Sequence, residues 1–351
     1  MRHFQKLLWL SPLALLGAVV GVVAAFCGGE DSKPASAAPI KLPGAASRGV
    51  LRGDHYYTII GSEIIDVDLK QRQATARASL SECYDYLPLA PFLDEMDGKA
   101  CVASEKGVAS VPAINVIDLT TGKVLHSVKY IGEVHGLGFA GDDRVFVIGA
   151  TNVVVLDLKS GETVQTVPVL KPEQAEKRGT AAVSAYQRVG NLLYLAENAA
   201  MRFDVVDLEA GKVVAELRAG YDWFGGLQVI GDKAYVRSIN LSYGINNPQF
   251  GFFDLKTKKY IDLKHPDAKI TDHIIEKDFD QTTLVAGPDA GVCLAWKGNV
   301  YQFDADGKQI GVTPIDKDDG RLVGVWNGQA LTLGADALHL TPLAKASAKG
   351  D

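Results

Sequence analysis

Five residues of this chain carry side chains suited to holding a divalent metal: Glu133, His135, Asp222, Asp272 and His273. Carboxylate and imidazole donors converging from separate segments bind a cation and activate water for hydrolysis. No pair among the five shows the short His-x-His or His-x-x-x-His spacing that would put two imidazoles together on one element. A second set is suited to contact: Tyr86, His135, Tyr221, Trp223, Tyr243 and His273. Several of these stand in Tyr221-Asp-Trp-Phe224 and Leu241-Ser-Tyr-Gly-Ile-Asn-Asn-Pro248. Aromatic rings beside adaptable Asn and Ser make a surface for a protein or a glycan. No Ser nucleophile elbow, phosphate loop, dinucleotide fingerprint or zinc-protease motif is present, so no residue is assigned a catalytic role. Cys-x-x-Cys is also absent, which removes the usual zinc and dithiol chemistry. No cofactor is therefore expected, apart from a divalent metal at the first five residues.

These residues are spread over much of the chain, so the elements between them must bring them together. Six times an apolar run ends in Asp and is followed by a turn: Asp68-Leu69, Asp118-Leu119, Asp157-Leu158, Asp207-Leu208, Asp254-Leu255 and Asp304-Ala305. A degraded seventh copy is Thr341-Pro342, and successive copies lie 37 to 50 residues apart. A period of that length, built of short strands and turns, marks the blade of a β-propeller. The expected fold is all-β: seven four-stranded antiparallel blades.

Each copy divides into strands A to D. In the third, strand A is Val134–Phe139, B is Arg144–Ile148, C is Asn152–Asp157 and D is Thr163–Val169. β-Branched and aromatic residues fill these runs, while Gly, Asp and Asn punctuate them. The Asp at the end of strand C accepts backbone N–H groups of the following turn. A Gly three or four residues on (Gly122, Gly161, Gly211, Gly307) supplies the positive φ of a tight hairpin. Turn chemistry thus accounts for all six aspartates without a metal. The A–B turns are short as well, so the longer connections, around 80–86, 104–113, 170–180, 238–249 and 264–280, gather at the opposite end. The last blade lacks a fourth strand, and Pro39-Ile-Lys-Leu-Pro-Gly44 is placed to supply it and close the ring.

With these φ-φ-Asp-Leu-x-x-Gly-Lys hairpins over residues 40–343, the chain resembles the seven-bladed repeat propellers grouped as YVTN-type or quinoprotein-dehydrogenase-like, which are WD40-like in architecture. The resemblance implies the fold but not one activity, since such propellers include enzymes, electron-transfer subunits and binding scaffolds. The chain departs from the pyrroloquinoline-quinone repeat, whose Ala-x-Asp-x-x-Thr-Gly…Trp ending is absent. It also departs from the Gly-His and Trp-Asp pairs of WD40 blades, with His135-Gly136 the nearest approach.

The start of the chain reads as a targeting segment. Arg2 and Lys6 precede an apolar stretch from Leu7 to Phe26, an arrangement that keeps the first residues cytoplasmic and exports the rest. Three fates are open: lipidation at Cys27 within Val23-Ala-Ala-Phe-Cys27, an uncleaved signal anchor, or cleavage after Ala35-Ser36-Ala37. All three put the folded part outside the cytoplasm. The expected organisation is 1–26 signal or anchor, 27–38 flexible tether, 39–343 propeller and 344–351 disordered tail. In an oxidising compartment Cys83 and Cys101 either bridge or remain unpaired. A net charge of −6 with no basic cluster argues against nucleic acid. The resulting expectation is an exported, membrane-tethered, periplasmic or extracytoplasmic module that binds an envelope protein or a glycan on its long-loop end. The other class left open is a metal-assisted, lactonase-like hydrolase or a dehydrogenase subunit with its site at the channel mouth.

Overall fold

A computed structural model describes residues 37–47, 49–80, 93–104, 113–170, 183–197, 202–218, 223–240, 247–263, 283–316 and 320–344. The strands form seven four-stranded antiparallel sheets; six are ordered A-B-C-D along the chain, and the seventh takes its fourth strand from Ile40–Lys41. The blades span residues 50–79, 93–129, 136–168, 183–217, 223–263, 284–314 and 321–342. Together they make a seven-bladed β-propeller.

The repeated Asp-Leu step has a double role. The Asp carboxylate accepts the N–H groups two and three residues on, as Asp157 does from Lys159 at 3.0 Å and Ser160 at 2.9 Å. Asp118, Asp207 and Asp254 repeat the pattern. Backbone N–H groups hold the Asp118, Asp157 and Asp254 carboxyls below the usual carboxylate range. The following residue donates its N–H to the A–B turn of the same blade: Leu69 to Asp54, Leu119 to Gly98, Leu158 to Asp143, Leu208 to Asn191 and Leu255 to Asp232, at 2.8–2.9 Å. One dipeptide therefore caps its own turn and ties it to the neighbouring one. The residue that closes the C–D turn has positive φ, which suits Gly161 at +72°. The fifth blade uses Lys258 there at +58°, and a side chain strains that conformation.

The sixth blade departs from the expected uniformity. Its A–B connection, residues 287–291, contains a 3₁₀ turn at Pro288–Ala290, and its two-residue turn, Lys297-Gly298, lies between strands B and C instead.

Buried apolar side chains form seven clusters, one in each seam between adjacent blades. The seam between the second and third, for example, joins Cys101, Ile114, Val116 and Val128 to Leu137, Phe139, Val145 and Val147. Cys101 is a fully buried free thiol, so it stays unpaired, and Cys83 lies outside the described residues. The last seam closes as the sequence suggested, with less strand than expected. Only Ile40–Lys41 pairs with the strand Ala337–Pro342, in the register Ile40↔Leu338 and Lys41↔Ala337. Leu42 N–H adds a bond to the Asp336 carbonyl at 2.8 Å. Proline has no N–H to give a ladder, which limits the strand at Pro39 and Pro43. Ile40 and Leu42 are buried among Tyr56, Val67, Leu331 and Leu340.

Two outcomes are expected. Deleting residues 38–46 from the chain opens the seventh seam and abolishes cooperative thermal unfolding, read by circular dichroism. Lys258→Gly relieves the left-handed residue and stabilises by about 0.5–1 kcal/mol, read as a raised denaturation midpoint.

Candidate functional site

The two ends of the ring differ. At one end the strands are joined by short hairpins such as 53–54, 97–98, 142–143, 190–191, 231–232 and 327–328, and by the Asp-capped C–D turns. At the other end strands B and D finish and the chain travels further before the next strand starts: from 79 to 93, 104 to 113, 168 to 183 and 263 to 284.

Of the residues singled out by sequence, Glu133 and His135 are brought together at that second end. They stand just ahead of the inner strand Gly136–Gly141, with His135 Nε2 3.0 Å from Glu133 Oε2. His135 is largely buried and its N–H donates to the Ile148 carbonyl at 2.7 Å, whereas Glu133 is exposed. Beside them Ile131 is 89% exposed. Trp223 opens the inner strand Trp223–Ile230 of the fifth blade. Cys27, Tyr86, Tyr221, Asp222, Tyr243, Asp272 and His273 lie outside the described residues. Among the described residues no three His, Cys, Asp or Glu side chains are grouped so as to hold a metal ion.

The inner strands are stitched to one another by side chains that bond the next strand's backbone. Asp94 Oδ2 accepts Phe139 N–H at 3.0 Å while its Oδ1 accepts Arg52 Nη2 at 2.8 Å. Tyr186 both donates to the Leu137 carbonyl and accepts its N–H. Arg188 donates to the Phe139 carbonyl at 2.7 Å, and Gln187 spans both backbone groups of Val229. Gly138 makes the Asp94 bond sterically possible: a Cβ there would sit 2.8 Å from Asp94 Oδ2 and 2.7 Å from the Phe146 ring. This fixes the spacing of the channel wall.

Two charged clusters lie inside blades. In the first blade, Asp66 is buried and fully answered, by His55 Nδ1 at 2.8 Å and by Arg77 Nε and Nη2 at 3.0 and 2.8 Å. The second cluster was not anticipated. Glu197 ends strand Leu192–Glu197 and Arg202 and Asp204 stand in strand Arg202–Asp207, all three buried at the long-connection end of the fourth blade. Arg202 Nη2 is 2.7 Å and Nε 2.8 Å from Asp204 Oδ2, with Glu197 Oε2 at 3.3 Å and Glu216 Oε2 at 3.4 Å. Its Nη2 also donates to the Val169 carbonyl of the third blade. Burial first, then the charge of Asp204, raises the Glu197 carboxyl above the usual range; burial raises Asp204 as well. A signal existed in the sequence. Counted back from the strand-ending Asp, Asp204 occupies the place of Ile65 and Val154, where a carboxylate interrupts an apolar run.

Comparison with known proteins bears on the fold alone. No protein-family profile matches this chain, and no curated protein matches it in sequence. Among solved structures, the β-propeller domain of Cps50 (Swd1) from Myceliophteria thermophila is similar. The two share 10% identity at a TM-score of 0.62, with 88% of this chain and 98% of that one covered. At that identity the likeness carries architecture and no chemistry.

Replacing Arg202 by Ala leaves two buried acids with no cation. The expected loss is about 3–5 kcal/mol at neutral pH. The loss shrinks in acid, where the carboxyls are protonated, and chemical denaturation at the two pH values reads it.

Proposed function

We propose that this chain is an exported propeller, tethered to a membrane through its N-terminus, that serves as a binding or scaffold module in the cell envelope. Within the propellers we group it with the YVTN-type, quinoprotein-dehydrogenase-like repeats. Its partner is an envelope protein or a glycan, engaged at the end of the ring from which the long connections leave. Tyr86, His135, Tyr221, Trp223, Tyr243 and His273 are the proposed contact residues.

The observation that carries this reading is the asymmetry of the two ends. The hairpin end spends its residues on capping itself, with Asp carboxylates satisfied by their own turns and Lys159 paired to Asp143 at 2.6 Å. The other end receives the longest connections, from 79 to 93, 168 to 183 and 263 to 284. Long connections on a rigid frame are the usual seat of recognition. The stitched inner strands supply the rigidity, so the strand ends from which the connections leave keep fixed separations.

The test places a photo-cross-linking side chain at His135 or Tyr243, and in a separate protein at Asp142 on the hairpin end, with the full chain expressed in its own cells. Discrete adducts from the first two positions and none from Asp142 are expected. Adducts from Asp142 alone, or from no position, would overturn the assignment. Elemental mass spectrometry of the purified chain is the parallel check. Near-stoichiometric metal together with a melting temperature lowered by chelator would replace the binding module with a hydrolase centred on Glu133, Asp222 and Asp272.

A further inference from the structure

The acids buried in the fourth blade have more acceptor capacity than the groups around them can fill. Glu197 and Asp204 are both wholly buried, and neither oxygen of Glu197 nor Asp204 Oδ1 has a hydrogen-bond partner among the described residues. The guanidinium of Arg202 does not relieve this, because its Nε is aligned on Asp204 Oδ2 and meets Glu197 Oε2 only at an ion-pair distance of 3.3 Å. The groups facing the pair are few. Strand A offers Val183 opposite Glu197, strand C offers Arg202, strand D offers the half-exposed Glu216, and the third blade offers the Val169 carbonyl, already bound to Arg202 Nη2. Among the described residues, three acids therefore meet one cation.

With all acids ionised, the site would hold uncompensated negative charge away from water and three acceptors with no donor. Either condition is unfavourable in an interior. A single proton removes the first and reduces the second from three unanswered acceptors to one, the remaining oxygen of Glu197. A carboxylic acid at Glu197 provides a donor for Asp204, and the buried group of Glu197, Asp204 and Arg202 becomes neutral.

We propose that Glu197 keeps its proton at neutral pH and donates it to Asp204, making a neutral latch with Arg202 across the seam between the third and fourth blades, and that losing this proton releases the latch. The proton passes to solvent base as the O–H bond breaks, and the electron pair stays on Glu197. The new carboxylate then competes with Asp204 and with the Val169 carbonyl for Arg202. Val169 is the last but one described residue before strand A of the fourth blade, so Arg202 holds the third blade at its long-connection end.

The sign follows from the raised carboxyl. A group that holds its proton more tightly folded than unfolded adds stability that is full in acid and is lost as pH rises toward its folded value. The melting temperature of the full chain is expected to fall by several degrees from about pH 5 to about pH 10. Glu197→Gln, whose amide donates the same hydrogen bond at every pH, flattens that fall and melts above the wild type at the alkaline end. Infrared difference spectra at neutral pH should show a protonated-carboxyl carbonyl band in the wild type that Glu197→Gln lacks. Parallel melting curves, or spectra without such a difference, would overturn the proposal. If Glu197→Gln does not fold, the wild-type spectrum decides: a protonated-carboxyl band persisting at about pH 8 supports the latch and its absence sinks it.

Discussion

Every buried apolar cluster in this ring belongs to two blades at once. A single blade has both faces apolar and nothing of its own to cover them. Strand C of the third blade shows the consequence, with Val154 and Leu156 packing toward the second blade and Val153 and Val155 toward the fourth. Seven blades therefore need seven seams, and the seventh exists only if the two ends of the chain meet. That requirement falls on Ile40 and Lys41, the whole of the closing strand. Burial of a side chain such as Ile40 contributes roughly 1.5–3 kcal/mol, but its larger effect is that it lets the last seam form.

Closure also fixes the channel. Once the ring is complete, each inner strand has a neighbour on both sides, and from the first blade to the fifth polar side chains bond across to the next inner strand. Asp94 illustrates how tightly, since it takes a guanidinium from the first blade and an amide from the third through different oxygens. A frame of this kind does not adjust to a ligand by moving blades. The Asp-capped hairpins at one end are likewise fixed by their own carboxylates.

What the sequence makes legible is what is local. The Asp, the Leu after it and the Gly that closes the turn act within a few residues, so their spacing reveals the turns, and the turns reveal the repeat. The two-residue closing strand was readable too, from a seventh copy with no fourth strand and an apolar segment after the tether. Its length was not, because the prolines at 39 and 43 bound it more closely than the apolar pattern does. The stitches of the inner ring were also hidden. Gly138 reads simply as a strand residue until Asp94, more than forty positions away, is seen to occupy the space a Cβ would need. At Asp204 the sequence shows the cation two residues away, Arg202, but not Glu197 from the neighbouring strand or the Val169 carbonyl that Arg202 reaches in the third blade.

The polar end of the seam between the third and fourth blades matters because its neighbours are apolar. An apolar seam loses stability gradually when a contact is trimmed, whereas a buried charge set fails sharply when one member changes. Arg202 bonds a carboxylate of its own blade and a carbonyl of the next, so the state of the acids beside it is also a state of the seam. Buried ions of this kind are rarely the cheapest way to stabilise a fold, because similarly shaped apolar groups often serve as well. Their distinctive property is that one proton changes their charge, and apolar packing has no equivalent. Placed where the strands give way to the long connections, such a group ties the protonation state of the seam to that end of the ring.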